Sequence, residues 1–209
     1  MKHSMNLRRT INNLIKYIFD RVAGIIGLTI AIPVLIVISF VIIINDGFPV
    51  FFIQKRVGYR GKLFSMIKFR TMVKNDGKNT VSVKGDKRIT KTGAFLRRYK
   101  MDELPELINV CLGQMSFVGP RPDVPGYADQ LAGEDRLILK LRPGVTGPAT
   151  LKYVDEETLL AGVEDPVAYN DQVIYPDKVR INLKYYHQHT LLLDLKIIFA
   201  TVLKKQINF

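Results

Sequence analysis

The hydrophobic and polar positions of the chain separate a long apolar N-terminal stretch from a mixed remainder. Residues 22–45 contain 24 side chains without a formal charge, and Pro33 lies near the middle of this run. A helix rises about 1.5 Å per residue and bilayer hydrocarbon is roughly 30 Å thick, so an unbroken helix of this length could cross it. Proline cannot donate to the carbonyl of Thr29, and its ring crowds the preceding turn. The pattern therefore predicts a helix that is kinked or broken at Pro33.

The charges on both sides of the apolar run favour a re-entrant path. Basic residues precede and follow it: Lys2, Arg8, Arg9, Lys16 and Arg21 on one side, and Lys55, Arg56, Arg60, Lys62, Lys68, Arg70 and Lys74 on the other. Positive residues near membrane segments prefer the cytoplasmic side, so we expect a helix that enters the membrane, bends and returns to the same leaflet. One kinked transmembrane helix is the alternative, because membrane helices tolerate proline where neighbours repair the lost hydrogen bond.

The rest of the pattern predicts a mainly helical α+β domain. Short runs at 50–54 and 62–70 predict a small hairpin. Helices are predicted over 92–100, 106–112, 128–141, 178–188 and 191–203. The polar segment 74–91 is typical of a surface loop. The helix over 191–203 is too short to span a bilayer, so it either packs in the core or lies at the membrane interface.

The net charge of +12 is concentrated in one segment. Residues 51–100 hold 15 basic and 2 acidic side chains, whereas the net charge is +3 over 1–50, −3 over 101–150 and −1 over 151–209. Beside a membrane element such a cluster suits anionic lipid head groups, nucleic acid or a phosphorylated substrate. Nucleic acid is disfavoured, because aromatic residues are not regularly interleaved with the basic ones and no nucleic-acid-binding signature is visible.

Cys111 is the only cysteine, which excludes a disulfide framework and a thiol metal cluster. Its apolar neighbours predict a buried structural thiol. Together with an apolar content of 47%, this favours a globular, membrane-associated protein whose body lies in a reducing compartment.

Asp102 and Glu103 are the strongest candidates for chemistry. Acidic residues at a helix start often only complement the helix dipole, so the pair alone is a weak signal. Here Arg97 and Lys100 precede the pair, and Arg121 follows between two prolines. A carboxylate that attacks phosphorus must approach a group that is already negative, so cations and usually Mg²⁺ must first neutralise the phosphate oxygens. One carboxylate can then form an acyl-phosphate while the other holds the metal or handles a proton.

Six short motifs follow one another along the chain. They are PVFFIQKRVGYRGKLF (49–64), KFRTM (68–72), FLRR (95–98), DELP (102–105), GPRP (119–122) and RPGVTG (142–147). Each motif alone has low specificity. As an ordered set, extending from about Lys16 to the C-terminal helix, they make the chain resemble the bacterial sugar transferases known as small monotopic phosphoglycosyl transferases.

The resemblance implies a monotopic protein at the cytoplasmic face of the bacterial inner membrane. Residues 1–47 would form the re-entrant helix broken at Pro33, and residues 48–209 a cytoplasmic catalytic domain with interfacial helices. The implied reaction moves a sugar 1-phosphate from a UDP-sugar to polyprenyl (undecaprenyl) phosphate and releases UMP, as the first membrane step of a glycoconjugate or polysaccharide pathway. The implied partners are these two substrates and the phospholipid bilayer, with no nucleic acid; homo-oligomer formation is left open.

The resemblance also implies roles for single residues. Asp102 would be the nucleophile that forms a phosphosugar-aspartyl intermediate, with Glu103 as its partner and Mg²⁺ held by this pair. The phosphate-holding cations would be Lys68, Arg97 and Arg121. Arg70 and Arg142, from the same motifs, complete the predicted substrate-binding set.

Two alternatives remain open at this level. In the first, Asp102 or Glu103 acts as a base while the lipid phosphate attacks directly in a ternary complex. In the second, the protein is a non-catalytic, membrane-anchored basic scaffold for envelope polysaccharide assembly, whose 51–100 segment holds anionic lipid.

Overall fold

A computed structural model of the chain describes residues 2–73 and 86–205, with side chains from Thr10 onward. The helices within those ranges are α1 (Lys2–Asp46), α2 (Lys91–Arg98), α3 (Glu106–Leu112), α4 (Pro148–Lys152), α5 (Glu156–Ala161), α6 (Pro166–Tyr169), α7 (Tyr175–Gln188) and α8 (Leu191–Val202). The strands are β1 (Phe51–Val57), β2 (Leu63–Phe69), β3 (Ser116–Val118) and β4 (Gly144–Thr146). The fold is therefore mainly helical, as the sequence predicts, with two small sheets. Most of the predicted loop over 74–91 lies outside the described residues.

Strands β1 and β2 form the predicted hairpin. They pair antiparallel, with Phe51 opposite Phe69 and Val57 opposite Leu63. The turn between them uses positive φ at Arg60 (58°) and Gly61 (75°). Arg70, directly after β2, is thereby carried back to the end of α1.

Strands β3 and β4 form a parallel pair that the sequence pattern does not predict. Ser116 pairs with Gly144 and Val118 with Thr146. The two backbone segments approach so closely that a Cβ on Gly144 would lie 2.1 Å from the nitrogen of Gly119. This contact places the GPRP and RPGVTG motifs side by side. Strands of three residues are too short for an alternation of apolar and polar side chains to be recognised in the sequence.

Helix α1 continues through Pro33 without an intervening non-helical residue. The prediction that one helix ends and another begins at this proline is therefore corrected. The lost bond to Thr29 is one hydrogen bond among many, and the turns on either side keep theirs. A bend of the helix axis at Pro33 and the re-entrant path stay predictions. By length and composition, Thr10–Asp46 is long and apolar enough to cross a membrane.

Both ends of α1 contact the same folded domain. Near the start, Lys16 Nζ lies 2.5 Å from Asp194 Oδ2 of α8. At the end, Thr90 Oγ1 donates to Asp46 Oδ2 at 3.0 Å. Between them α1 packs on α3, where a Cβ on Gly24 would lie 3.1 Å from Val110 Cγ1. The domain therefore runs alongside the helix instead of projecting from one end.

Helix α2 begins where the sequence predicts it, and its first turn fits tightly against the segment that follows β2. Thr90 caps the helix by accepting a bond from Gly93 N at 2.8 Å. A Cβ on Gly93 would lie 2.1 Å from the carbonyl oxygen of Thr71, so only glycine fits. This packing fixes the side of α2 that carries Arg97.

The C-terminal half departs from the sequence pattern in one place. The helix predicted over 128–141 is wrong: two 3₁₀ turns, Ala128–Gln130 and Asp135–Lys140, replace it. Extended backbone at Leu131 and a positive φ of 57° at Gly133 interrupt the helix.

Helix α8 confirms the expectation that the C-terminal segment packs in the core, while its location at the membrane interface stays a prediction. Asp194, Ile197 and Ala200 are buried in the core. Leu192 and Phe199, in contrast, are more than 60% exposed on the opposite side. The helix therefore packs in the core with one face and leaves a second apolar face uncovered.

Candidate active site

The acidic pair lies in its own 3₁₀ turn, Met101–Glu103, between α2 and α3. Lys100 adopts the left-handed conformation (φ 57°, ψ 24°), which turns the chain sharply after α2. Glu106 is the first residue of α3, so Asp102 and Glu103 precede the first turn of that helix. Complementing the dipole of α3 is therefore not a sufficient explanation for the pair.

Glu103 is held between two cations. Its Oε1 accepts a bond from Lys68 Nζ at 2.9 Å and from Arg121 Nη2 at 2.6 Å. Lys68 Nζ also lies 3.1 Å from Glu106 Oε1. Burial alone would raise the pKa of Glu103, but the charges of Arg121 and Lys68 outweigh it and lower this pKa. Glu103 is thus an ionised anchor that positions Lys68 and Arg121.

Asp102 is buried but has an unengaged oxygen. Its Oδ1 makes no hydrogen bond to the part of the chain that the structure describes. Burial, and then the charge of Glu103, raise the pKa of Asp102, while Lys68, Lys100 and Arg97 oppose the shift. Buried polar atoms are normally satisfied, so an orphaned carboxylate oxygen indicates a functional role. Its lone pairs are therefore not committed to any described residue.

The structure brings three predicted cations to this acidic pair. Lys68 and Arg121 contact Glu103 directly. Arg97 acts on Asp102 through its charge, and its guanidinium pairs with Glu157 of α5. The Arg121 side chain is 41% exposed, so it remains accessible to a phosphate. Cations on three different segments therefore converge on Asp102 and Glu103.

Arg70 and Arg142 contact neither Asp102 nor Glu103 in the structure, and their predicted substrate-binding role stays a prediction. Arg70 donates to the carbonyls of Asp46 (2.6 Å), Gly47 (2.6 Å) and Phe48 (2.7 Å), where α1 ends. A helix end leaves carbonyls without intrahelical partners, which explains the attraction of this guanidinium.

Arg142 donates from Nε to the carbonyl of Gly113 at 3.0 Å. Its guanidinium carbon lies 4.6 Å from the ring centre of Tyr17 and 5.5 Å from that of Tyr59. Burial and the nearby Arg21 lower its pKa. Arg142 therefore joins α1, the β1–β2 turn and the end of α3, which is a structural role.

Replacing Arg70 tests whether its side chain stabilises the fold or binds substrate. Arg70→Gln is expected to lower the free energy of unfolding by roughly 1.5–3 kcal/mol, because bonds from a charged donor to three carbonyls are lost. The KM for a nucleotide sugar should stay within about twofold of the original, since Arg70 contacts neither acidic residue. Thermal unfolding and steady-state kinetics measure the two quantities. Arg180→Gln, at a side chain that is 79% exposed, is the control; a raised KM with unchanged stability would support the substrate-binding role.

A second group of polar residues lies beside Arg121 and was not predicted from the sequence. Arg56 of β1 donates to the carbonyl of Pro122 at 3.2 Å. Asp123 follows immediately, and Lys178 of α7 acts on it through its charge. Arg56 lies within a recognised motif and Asp123 directly after one, which is the only sequence signal. Lys178 comes from a distant helix, and no local pattern connects it to the site.

The residues present fit a magnesium ion that is bound mainly through substrate. Among the described residues no group of three or more His, Cys, Asp or Glu side chains is arranged to hold a metal. Mg²⁺ usually keeps several waters and uses one or two carboxylates together with substrate phosphates. The orphaned Oδ1 of Asp102 meets this requirement. Glu103 is the weaker ligand, since its Oε1 already accepts from Lys68 and Arg121.

Residues 11–207 match the family model described as bacterial sugar transferase. A Klebsiella pneumoniae protein named UDP-glucose:undecaprenyl-phosphate glucose-1-phosphate transferase is 37% identical over 204 residues, 95% of this chain and 41% of that protein. The undecaprenyl-phosphate galactose phosphotransferase of Salmonella typhimurium is 32% identical over 213 residues, 94% of this chain and 41% of that protein. The exopolysaccharide production protein ExoY of Rhizobium meliloti is 29% identical, over 93% of this chain and 86% of that protein. The chain spans about two fifths of the length of the first two relatives.

Proposed function

The chain belongs to the bacterial sugar transferase family, and from this premise we propose that it transfers a sugar 1-phosphate from a UDP-sugar to polyprenyl phosphate and releases UMP. The names of the Klebsiella and Salmonella relatives describe transfer onto undecaprenyl phosphate. The observation that carries the proposal is the orphaned, buried Oδ1 of Asp102 beside a carboxylate that is fixed by Lys68 and Arg121.

The first half-reaction uses Asp102 as the nucleophile. A carboxylate oxygen attacks the β-phosphorus of the UDP-sugar, and the bond from that phosphorus to the bridging oxygen breaks. The electron pair leaves with UMP, and a sugar phosphate stays bound to Asp102 as an acyl-phosphate. Mg²⁺, when bound, neutralises charge on the diphosphate.

The second half-reaction regenerates the carboxylate. A phosphate oxygen of the polyprenyl phosphate attacks the phosphorus of the acyl-phosphate, and the bond to the Asp102 oxygen breaks. The product is a polyprenyl diphosphate sugar. No proton is taken up or lost at Asp102, so the scheme needs no general base.

Glu103 and its cations stabilise the charge that develops in both steps. Because Lys68 and Arg121 lower the pKa of Glu103, it is unsuited to accept a proton at neutral pH. Its role is to hold two cations where phosphate oxygens pass through the transition state. The alternative in which Glu103 serves as a base is therefore disfavoured.

An apolar groove of about 380 Å³ supports a lipid acceptor. Its lining side chains, from α1, α2 and the turn before Asp102, are all apolar: Pro33, Val34, Val37, Ile38, Val41, Phe95, Leu96 and Met101. Met101 directly precedes Asp102. An isoprenoid chain in this groove would bring its phosphate to the nucleophile without leaving the apolar phase.

The contacts of α1 support a monotopic arrangement at the cytoplasmic face. The domain touches α1 at Lys16 and at Asp46, which are separated by about 45 Å of helix at 1.5 Å per residue. A straight crossing would carry one of these ends away from the domain. A helix that stays in one leaflet keeps both contacts and exposes its apolar side chains to lipid. The basic segment 51–100 fits the anionic cytoplasmic surface.

A panel of UDP-sugars tests the proposal. The purified full chain, in detergent or nanodiscs, is mixed with Mg²⁺, undecaprenyl phosphate and one UDP-sugar at a time, and UMP is measured. At least one UDP-sugar should give UMP and a lipid-linked sugar in equal amounts. Release of no UMP from any UDP-sugar would favour the non-catalytic scaffold.

A further inference from the structure

A polar cluster lies beside Arg121 and does not include Glu103. Its members come from three segments: Arg56 from β1, Asp123 from the loop after the GPRP motif, and Tyr175 from α7. The backbone holds the first two together, since Val57 N donates to the carbonyl of Asp123 at 2.9 Å. Tyr175 packs against the hydrophobic cluster that contains Val57. Arg56 Nη1 donates to the carbonyl of Pro122, the residue between Arg121 and Asp123.

Arg56 donates from Nη2 to Gln54 Oε1 at 2.7 Å as well as from Nη1 to Pro122, but other polar atoms of this cluster lack partners. Arg56 Nε and the Tyr175 hydroxyl are buried without a hydrogen bond to the part of the chain that the structure describes. The half-buried Asp123 carboxylate likewise bonds to no described residue, although Lys178, Arg56 and Arg121 act on it by charge. Lys178 instead places its Nζ 2.7 and 2.6 Å from the two carboxylate oxygens of Glu156. Leaving several buried polar atoms unsatisfied is costly unless a ligand completes them.

The chemistry of the unpaired atoms restricts that ligand. Arg56 Nε is a donor, the Tyr175 hydroxyl donates or accepts, and the Asp123 carboxylate accepts. An apolar ligand would leave all three unsatisfied, and a phosphate would be repelled by Asp123. Neighbouring hydroxyl groups, each of which both donates and accepts, satisfy the whole set.

On the basis of the proposed function, we propose that Arg56, Asp123 and Tyr175 bind adjacent hydroxyl groups of the nucleotide-sugar donor. Arg121 holds the diphosphate two residues from Asp123, so a group attached to either end of the diphosphate can reach the cluster. Both the ribose and a hexose carry such hydroxyl pairs. The shared chemistry is a diol that accepts from Arg56 and donates to Asp123.

The titration of Asp123 gives this site a distinct pH dependence. Burial raises the pKa of Asp123 to about 6, against the opposing charges of Lys178, Arg56 and Arg121, while Glu156 adds to the rise. Burial also keeps the Tyr175 hydroxyl neutral by raising its pKa. Asp123 is therefore mainly ionised at pH 7 and mainly protonated at pH 5. Because the protonated carboxyl loses acceptor capacity, the donor Kd should rise about tenfold between pH 7 and pH 5, and Asp123→Asn should abolish this dependence.

Measuring donor affinity in a chain that cannot react tests the hydroxyl-binding site independently of the proposed reaction. In an Asp102→Asn background, calorimetry measures the Kd for UDP-glucose, UDP-galactose and UMP. Adding Asp123→Asn should weaken donor binding by about 10- to 100-fold, and adding Tyr175→Phe by about 5- to 20-fold. Asp165→Asn, at an exposed helix cap that asparagine also satisfies, is the matched control and should change nothing.

The three ligands distinguish the two sources of the diol. If the ribose occupies the cluster, UMP binding weakens as much as UDP-sugar binding. If the hexose does, UMP binding is unchanged. Equal Kd values before and after both Asp123→Asn and Tyr175→Phe would overturn the inference, even if the unmodified chain releases UMP. Tyr175→Phe removes only an unpartnered hydroxyl, so it keeps the test valid should Asp123→Asn fold poorly.

Discussion

Asp102→Asn should lower the rate of UMP release by at least about 10³-fold and at the same time raise the melting temperature. The amide is a poor nucleophile toward phosphorus, so the covalent route closes. The stability gain follows from burial and Glu103, which raise the pKa of Asp102. The stabilising contribution of such a carboxyl is complete below its ordinary pKa and is lost as the pH rises through the raised value. At pH 7 a neutral amide removes that penalty, and each kcal/mol gained is worth about 2–4 °C.

UMP release and thermal unfolding, measured on the same preparation, check both halves of this prediction. Asp129→Asn is the control, because Asp129 is a partly exposed carboxylate that accepts from Gly126 N at 2.7 Å. It should leave the turnover intact. Retained turnover in Asp102→Asn, or a loss of activity explained by unfolding, would contradict the nucleophilic role.

Arg121→Ala should lower kcat by about 10²- to 10³-fold. Removing one preorganised donor to developing negative charge typically has an effect of this size. Arg121→Lys should recover only part of the activity, because an ammonium cannot form the two parallel bonds that a guanidinium gives a phosphate. Steady-state kinetics with saturating donor and acceptor isolate kcat from binding.

Glu103 provides an internal check on this result. Without Arg121, Glu103 retains Lys68 as its remaining partner at 2.9 Å, so the fold should survive. Arg180→Ala, which removes a largely exposed guanidinium, is the matched control. An Arg121→Ala variant with unchanged kcat and a raised KM would show that Arg121 acts in ground-state binding alone.

Local sequence signals predicted the elements that depend on local physics. The β1–β2 hairpin follows from short strands around Gly58 and Gly61, and α3 follows from Pro105 at its start and Gly113 at its end. Gly113 adopts a φ of 85°, the left-handed conformation expected after a helix. At turns and helix ends of this kind, the local residue types determine the backbone conformation.

Elements that depend on distant contacts were not predictable in the same way. The β3–β4 pair exists because Gly119 and Gly144 allow two backbone segments to approach closely. The residues within either strand do not predict this pairing. The helix predicted over 128–141 fails because Gly133 interrupts a pattern that is otherwise amphipathic. Apolar spacing alone could not show that the segment forms two separate 3₁₀ turns.

The residues of the candidate site were likewise predictable only in part. Asp102, Glu103, Lys68 and Arg121 could be predicted because each lies in a motif of the family that the chain resembles, and the structure brings them together. Arg70 lies in the same kind of motif, yet its guanidinium bonds the end of α1. A motif shows that a residue type is required but not whether substrate or backbone requires it.

The covalent intermediate is the central claim, and peptide mass spectrometry tests it most directly. The full chain is incubated with Mg²⁺ and a UDP-sugar that serves as donor, without any lipid acceptor, and is then quenched and digested. We expect one equivalent of UMP per active chain and a mass gain of one sugar phosphate on the peptide that contains Asp102. This mass gain should be lost when undecaprenyl phosphate is added. UMP release that occurs only with acceptor present, with no adduct on that peptide, would contradict the covalent intermediate.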